Sequence, residues 1–296
     1  MKARDTHNSF WSAVHKGDPA TVQRCIVRGQ NPDGPLHLAA TSAMHGKVMA
    51  LWLAAISGQL EVVKVLLAAG ADIEGGQRWM TPLLGAAAAG HTDIVALLKQ
   101  HKAKVHFLAR VALEDLPAVT RELARRPALA RQADECGKTA LHYAAARLSI
   151  PMAKLLLSHG AQVNVLSAHE ETPLFLACDR RAADPARQRR FLEFLLAHGA
   201  DAARANWRSV TPLHVATRAR SVVAVELLLA HGVDVNAKDG GRGSTALDRA
   251  MHSTGAGGTA GRMAEAAAIR KLLIEAGAKS RTKTFGTPRR KGRIRT

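Results

Sequence analysis

Three histidines, His37, His142 and His214, each follow a leucine and precede a short run that contains alanine. Imidazole is the commonest metal ligand in proteins and the usual general base, so these side chains are the first candidates for chemistry. A metal site needs clustered ligands, but these histidines lie far apart along the chain. The same place in other copies of the phrase that surrounds them holds Trp52, Leu84, Phe175 and Asp248. The pattern therefore predicts structural histidines and no metal site.

Other reactive side chains also lack the partners that catalysis requires. His169-Glu170-Glu171 has no second histidine to complete an HExxH zinc-protease motif. The acidic pairs, Glu114 with Asp115 and Asp134 with Glu135, are typical of helix caps or solvated faces. Neither GxSxG nor the phosphate-binding GxxxxGK occurs. The sequence predicts no catalytic, cofactor-binding or metal-binding residue and no cofactor; an enzyme with its site on the inserted loops is the remotest alternative.

The elements that hold these residues are copies of one 22-residue phrase, which runs from Thr139 to Gly160. The interval from Thr139 to Thr172 is 33 residues, and that from Thr211 to Thr245 is 34 residues. Such a period is typical of stacked helical repeats. The copies begin at Asn8, Met49, Thr81, Val105, Thr139, Thr172, Thr211 and Thr245.

The opening of the phrase carries a family resemblance. Thr211-Pro212-Leu213-His214 is followed by alanine, a triple-leucine run and His-Gly, and Thr139-Ala140-Leu141-His142 differs in that opening only by lacking proline. The chain resembles the ankyrin-repeat family in this respect over roughly residues 8 to 278. The resemblance implies an all-α ankyrin-repeat solenoid of stacked helix-turn-helix units with short β-hairpin-like turns. It also implies that the opening histidine hydrogen-bonds to the threonine and neighbouring backbone.

The local chemistry of one repeat favours the same architecture. Proline after threonine suits the first turn of a helix, because its missing N–H would have no partner there. Asp18-Pro19 is a comparable start signal. Alanine runs let helices approach closely, and leucine runs supply an apolar face for the next repeat. Glycine at place 22 favours a left-handed helix end; it occurs at Gly29, Gly70, Gly160 and Gly232.

Departures from the phrase predict the domain organisation. Place 22 holds Lys102 and Arg126 in the two central copies, where we expect a bend or short turn. Insertions near residues 180–190 and 253–262 predict loops. We expect an N-terminal capping repeat at 1–33, repeats with one irregular unit at 34–104, repeats with an inserted loop at 105–244, a C-terminal capping repeat with a glycine-rich insertion at 245–278, and a basic disordered tail at 279–296.

Composition limits the classes of protein that remain. The chain is 47% hydrophobic but only 4% aromatic, which suits stacking of small residues better than a large enzyme core. No apolar run reaches the length of a membrane span, and the N-terminus has no secretory signal. Cys25, Cys136 and Cys178 are too dispersed for a disulfide framework. We expect a cytoplasmic monomer that does not contact membranes.

The formal net charge of +18 is concentrated in the last 18 residues, which carry eight lysines and arginines and no acid. One interpretation is an electrostatic arm that makes weak contact with nucleic acid or an acidic partner; the other is a solvated tail without a dedicated partner. The candidate anion-binding residues are Arg289, Arg290, Lys291, Arg293 and Arg295.

The resemblance also implies a binding surface, formed by the turns before each threonine and the exposed side of each first helix. Trp207 and Arg208 are the strongest candidates, because tryptophan and arginine most often carry interface energy. The alternative for each tryptophan, including Trp79, is packing on the adjacent turn. The predicted partner-binding residues are Gln77, Arg78, Met80, Glu135, Lys138, Arg147, His169, Glu171, Asp179, Arg180, Trp207, Arg208, Val210, Arg218 and Arg242.

The sequence thus favours a non-catalytic scaffold or adaptor that binds one or more proteins on the concave ankyrin surface. Two alternatives remain. One is a nucleic-acid or ribonucleoprotein accessory protein that is bound through its basic tail. The other follows from the alanine- and arginine-rich composition, which suggests a bacterial source: a secreted effector that uses its repeats to bind a host protein.

Overall fold

A computed structural model describes residues 2–34, 49–75, 81–179, 184–252 and 260–279. Within these ranges the protein is all-α, with a single isolated β-bridge between Ala133 and Thr139. The predicted architecture of paired helices is confirmed there. The helices are α1 Lys2–Lys16, α2 Pro19–Val27, α3 Ala50–Ile56, α4 Leu60–Ala68, α5 Pro82–Ala89, α6 Thr92–Gln100, α7 Phe107–Ala112, α8 Leu116–Arg125, α9 Ala140–Arg147, α10 Ile150–Ser158, α11 Pro173–Cys178, α12 Pro185–Ala197, α13 Pro212–Ala219, α14 Val222–Ala230, α15 Ala246–His252 and α16 Ala260–Glu275.

The boundaries of α13 and α14 follow from their local sequence. In α13, the hydroxyl of Thr211 accepts a hydrogen bond from the backbone N–H of His214, and Pro212 occupies the first turn. The helix ends at Arg220 in the left-handed conformation, and Ser221 then caps α14 through the N–H of Ala224. Asp18 caps α2 as predicted. The four place-22 glycines all have positive φ, as predicted.

Packing follows from the size of the side chains. Ala140, Ala144 and Ala145 of α9 are fully buried, and so is Leu156 of α10. Small residues on the first helices allow close contact between neighbouring pairs, while leucines fill the space between second helices. Burying one such leucine contributes about 1.5–3 kcal/mol. The stability of each pair therefore depends on its neighbours.

The chain divides into two compact units, and each has the same internal order. Unit 1 comprises residues 1–177 and 198–200. In it α1 packs on α3, α3 on α5, α5 on α7 and α7 on α9, while α2 packs on α4, α4 on α6 and α8 on α10.

Unit 2 comprises residues 178–197 and 201–296. Its first helices pack as α13 on α15, and its second helices pack as α12 on α14 and α14 on α16. In both units, first helices contact first helices and second helices contact second helices, which is how stacked helix-turn-helix repeats bury their apolar faces.

Two predicted starts of the repeated phrase do not coincide with the starts of helices. Asn8 lies inside α1 and does not begin a helix, and α7 is preceded by His106, one residue after the predicted Val105. Lys102 takes the left-handed conformation itself, with φ of 66°, so this copy keeps its helix-ending turn without glycine. After Arg126 the predicted short turn is a 3-10 helix, Pro127–Arg131.

Parts of the two segments that were predicted as loops are helical. Residues 185–190 form the first turns of α12, which begins at Pro185 and is capped by Asp184. A proline after aspartate starts a helix well, and this signal outweighs the charge of the insertion. In the second insertion α16 already begins at Ala260, so residues 260–262 are helical. Residues 180–183 and 253–259 lie outside the described residues.

Candidate functional site

The predicted pair Trp207 and Arg208 lies in a tight turn of unit 2 that Asn206 organises. The side-chain oxygen of Asn206 accepts hydrogen bonds from the backbone N–H groups of Arg208 and Val210, both at 3.0 Å. The N–H of Asn206 also donates to the carbonyl oxygen of Val210. Ser209 takes a left-handed conformation at φ of 54°. The turn therefore projects Trp207 and Arg208 from a fixed backbone.

These two side chains interact with each other at the surface. The guanidinium carbon of Arg208 lies 4.4 Å from the centroid of the Trp207 ring, which is a cation–π contact. Trp207 is 51% exposed, which makes it one of the few large apolar side chains on the described surface. The prediction that Trp207 is available at the surface is consistent with this placement, and its role in binding stays a prediction.

The next turn of unit 2, residues 239–244, is organised by Asp239. One oxygen of its carboxylate accepts hydrogen bonds from the backbone N–H groups of Arg242 and Ser244. The other accepts one from Arg249 at 2.7 Å. Burial alone would raise the pKa of Asp239, but the hydrogen bonds from Arg249 and the backbone hold that pKa lower, at about 2. Asp239 is thus an ionised carboxylate that points into the protein.

The two turns are joined directly, because the backbone N–H of Gly240 donates a 2.7 Å hydrogen bond to the carbonyl oxygen of Arg208. Arg218, at place eight of its repeat, forms a 2.9 Å ion pair with Asp179 at the same place of the preceding repeat. We call residues 206–210 and 239–244 together with Arg218 the turn surface of unit 2. Five predicted binding residues lie on this surface: Trp207, Arg208, Val210, Arg218 and Arg242. A sixth, Asp179, is the ion-pair partner of Arg218.

Unit 1 contains an equivalent pair of turns. Asp134 accepts hydrogen bonds from the backbone N–H groups of Cys136 and Lys138, and its second oxygen accepts one from the hydroxyl of Tyr143 at 2.6 Å. In the next turn, the hydroxyl oxygen of Ser167 accepts hydrogen bonds from the backbone N–H groups of His169 and Glu171.

These two turns of unit 1 are also hydrogen-bonded to each other, from the N–H of Ala168 to the carbonyl oxygen of Cys136. The predicted residues of these turns are Glu135, Lys138, His169 and Glu171, of which Glu135 is exposed and the others half-buried.

Arg147 is the last residue of α9, and it lies apart from those turns. Its guanidinium approaches the Glu114 carboxylate at 3.8 Å. It also covers Gly90, where an added Cβ would meet the Arg147 Nη1 atom at 2.7 Å. Only a quarter of the Arg147 side chain is exposed. The geometry gives this residue a packing role in addition to the predicted one in binding.

The opening histidines His142 and His214 form the hydrogen bonds that the resemblance implied. Nδ1 of His142 accepts the backbone N–H of Thr139, and Nε2 contacts the carbonyl oxygen of Glu171 at 2.9 Å. His214 makes the same contacts with Thr211 and Ser244. Burial lowers the pKa of His142 to about 4 and also lowers that of His214. Both imidazoles are therefore neutral, with the Nε2 proton donated to a carbonyl of the next turn.

The remaining residues singled out in the sequence lie outside the described residues. They are His37, Gln77, Arg78, Trp79, Met80, Arg180 and the tail residues Arg289, Arg290, Lys291, Arg293 and Arg295. Nothing in the structure tests them.

Sequence reasoning missed the residues that support the turns. Asp239, Arg249 and Tyr143 were not predicted, although Tyr143 and Arg249 both occupy place five and both reach back to the aspartate that organises their turn. The signal was present: an aspartate or asparagine five or six residues before the repeat's threonine, at Asp134, Asn206 and Asp239, is an acceptor that can satisfy a tight turn.

Two further observations concern other kinds of site. The part of the chain that the structure describes contains no group of three or more histidine, cysteine, aspartate or glutamate residues placed to hold a metal ion. Among the helices described above, none combines the length and hydropathy that crossing a bilayer demands.

Comparison with known proteins agrees with the helix pairs. The family model described as ankyrin repeats (3 copies) matches residues 10–109, 106–206, 165–239 and 181–284. The chain is 30% identical to human Neurogenic locus notch homolog protein 1 over 172 residues, which is 54% of this chain and 6% of that protein. It is 32% identical to mouse B-cell lymphoma 3 protein homolog over 116 residues, 39% of this chain and 25% of the relative.

A third relative is the Ankyrin repeat and KH domain-containing protein mask of Drosophila melanogaster, which is 40% identical over 100 residues, 33% of this chain and 2% of that protein. The chain therefore spans a quarter or less of the length of each of these relatives. Ankyrin repeats are generally modules for protein–protein interaction. With the model matches covering most of its length and the helix pairs in place, this chain belongs to the ankyrin-repeat family and has an all-α ankyrin-repeat solenoid fold.

Proposed function

We propose that this chain is a non-catalytic scaffold or adaptor that binds a partner protein on the concave face of its ankyrin repeats, through the turns and the exposed side of the first helices. The observation that carries the proposal is the exposed Trp207 with the Arg208 guanidinium over its ring, in a turn that the Asn206 side chain holds by hydrogen bonds to the N–H groups of Arg208 and Val210. A rigid aromatic and an arginine are the residue types that most often dominate interface energy.

The turn geometry supports this proposal because it lowers the entropy that binding would lose. Arg208 is already ordered by its contact with Trp207, and Arg218 is ordered by its ion pair with Asp179. An immobilised long side chain costs about 0.5–1.5 kcal/mol on association, so prior ordering favours binding. We propose that the other predicted partner-binding residues, from Gln77 to Arg242, also take part in binding. We also propose the predicted domain organisation, a cytoplasmic location and a monomeric state.

The test is affinity capture with the intact chain and with the double variant Trp207→Ala, Arg208→Ala. Met263→Ala is the control, since Met263 is 57% exposed on α16 and does not belong to the turn surface of unit 2. We expect the double variant to lose the partner and the control to retain it, with unchanged circular dichroism for both. Recovery of every partner at full strength by the double variant would contradict the proposal.

The charge of the tail favours a second candidate, an accessory protein that contacts nucleic acid. Eight lysines and arginines occur in the last 18 residues without an acid, and cations that displace counterions from phosphate give affinity without sequence choice. A secreted effector is a third candidate, and the test for it is whether the protein leaves the cell that makes it.

A further inference from the structure

The turn surface of unit 2 has an unusual balance of charge. Residues 204–210 and 237–244 carry the exposed cations Arg204, Arg208, Lys238 and Arg242 and a single carboxylate, that of Asp239. That carboxylate points inward, and its oxygens accept hydrogen bonds from two backbone N–H groups and from Arg249. Outward-facing charge on these two turns is therefore entirely positive.

Arg208 is arranged to receive a carboxylate. Its guanidinium carbon lies over the Trp207 ring, 4.4 Å from the ring centroid. The N–H donors of a guanidinium lie in its plane, in a fork that matches both oxygens of a carboxylate. The contact with Trp207 therefore helps to order an exposed guanidinium whose donors suit a carboxylate.

The second cation is held close to the first. The 2.7 Å hydrogen bond from the Gly240 N–H to the Arg208 carbonyl oxygen joins the two turns, and the Asp239 carboxylate accepts a hydrogen bond from the backbone N–H of Arg242, three residues later. Two arginines on adjoining turns, with the exposed Trp207 directly before the first of them, form a surface that can contact successive residues of an extended segment.

We propose that the turn surface of unit 2 recognises an acidic peptide segment of its partner protein, with carboxylates bound by Arg208 and Arg242 and an apolar side chain packed on Trp207. This inference rests on the proposed function and specifies its partner. Charge complementarity selects the occupant, since the exposed cations of these turns attract carboxylates and repel a basic segment.

The joined pair of turns that is described in unit 1 has a different balance of charge. Residues 134–138 and 167–171 carry Glu135, Glu170 and Glu171 in addition to Asp134, against Lys138 and His169. Nucleic acid is the less favoured occupant of unit 2, because the guanidinium of Arg208 already covers a face of the ring on which a base would stack.

The experiment measures binding of a fluorescein-labelled dodecapeptide of three Glu-Glu-Leu-Gly units by anisotropy, with the full chain at about 0.15 M salt. Peptides with Gln or Lys in place of Glu test the sign of charge, and a single-stranded oligonucleotide serves as competitor. The protein variants are Arg208→Ala, Arg208→Lys, Arg242→Ala and, as control, Arg190→Ala. The control removes the same charge from an exposed position on α12.

We expect Arg208→Ala and Arg242→Ala each to weaken binding of the glutamate peptide about fivefold, and Arg190→Ala to weaken it less than about twofold. Arg208→Lys keeps the charge but loses the fork and the stack, so we expect a loss close to that of Arg208→Ala. Equal effects of Arg208→Ala and Arg190→Ala, equal binding of the glutamine peptide, or no binding of the glutamate peptide would each overturn the proposal. An oligonucleotide that binds more tightly than the peptide and depends on Arg208 would overturn it in favour of nucleic acid.

The outcome is distinguishable from that of the proposed function. If captured partners depend on Trp207 and Arg208 while the glutamate peptide does not bind, the proposed function stands and the acidic partner is wrong. If no captured partner depends on these residues, the proposed function itself fails, whatever the peptide does.

Discussion

The backbone N–H of Gly240 donates a 2.7 Å hydrogen bond to the carbonyl oxygen of Arg208. This bond couples the turn that carries Trp207 to the next turn, which Asp239 organises. The corresponding bond in unit 1 runs from the N–H of Ala168 to the carbonyl oxygen of Cys136. The contact recurs because each turn leaves one carbonyl oxygen and one N–H directed along the stack, and a buried polar backbone group needs a partner.

Gly240→Ala tests this coupling, with Gly241→Ala as its control. A Cβ on Gly240 would lie 2.9 Å from the Arg208 carbonyl oxygen, whereas on Gly241 its nearest neighbour would be an Asp239 oxygen at 3.9 Å. We expect Gly240→Ala to lower the free energy of unfolding by about 1–3 kcal/mol, and Gly241→Ala to change it by less than about 0.5 kcal/mol. Urea denaturation measures both. Equal effects would show that the two turns are not in close contact.

The lowered pKa values of the opening histidines predict that the stability of the protein falls on mild acidification. His142 has a pKa of about 4 in the folded protein because it is buried, against an ordinary value of 6.5. The unfolded chain therefore binds more protons between these values, and the stabilisation is complete above pH 6.5 and is lost as the pH falls towards 4. The loss for His142 alone is at most about 3 kcal/mol. Urea denaturation at intervals across this range checks the prediction.

His142→Leu separates titration from other acid effects, since leucine stands at this place in the copy that begins at Thr81. The variant loses hydrogen bonds to Thr139 and Glu171, so we expect about 1–3 kcal/mol less stability at neutral pH. Its stability should then fall less steeply with acid than that of the unaltered chain. Parallel pH profiles would rule out His142 as a source of the effect.

Two substitutions of Asp239 are expected to lower the stability of the protein by different amounts. Asparagine keeps an oxygen for the N–H groups of Arg242 and Ser244, as Asn206 does in the preceding turn, but loses the charge opposite Arg249. We expect Asp239→Asn to cost about 1 kcal/mol and Asp239→Ala, which also leaves backbone donors without an acceptor, about 3 kcal/mol. Thermal and urea unfolding measure both. If the two variants were equally stable, the backbone hydrogen bonds would contribute nothing.

Deletion of residues 280–296 tests the tail. The cut follows Lys279, whose N–H is hydrogen-bonded to the side chain of Asn236 at 2.7 Å, and removes seven cations, so the formal charge falls from +18 to 18 − 7 = +11. We expect nucleic-acid affinity to fall steeply with salt for the full chain and to disappear on deletion, while partner capture persists. Partner capture that vanishes with the tail would place binding there and not on the turns.

The repeated elements were predictable from the sequence because their signals are local. Threonine before proline, the place-22 glycines and Asp18 before Pro19 each fix a helix end within a few residues, and each was found where predicted. Lys102 shows the limit of such reasoning. Its left-handed conformation is imposed by the two helices it joins and is adopted without the residue that usually favours it.

The site was harder to predict because it depends on contacts between repeats. Trp207 and Arg208 could be chosen by residue type, but the Arg218–Asp179 ion pair and the inward carboxylate of Asp239 depend on side chains that are 39 and 10 residues apart in the chain. The extent of α12 was misjudged for a related reason. A run of arginines suggested a solvated loop, whereas Gln188 of that run is buried and hydrogen-bonded to Ser221.

Hydrogen–deuterium exchange of the full chain, alone and with its captured partner, tests the central claim most directly. The account predicts slower exchange on partner binding in residues 206–210 and 239–244 and in the first turn of α13, with no change along α14 and α16. Protection confined to α12, α14 or α16, with the turns unchanged, would show that the partner binds the opposite side of the repeats and would contradict the account.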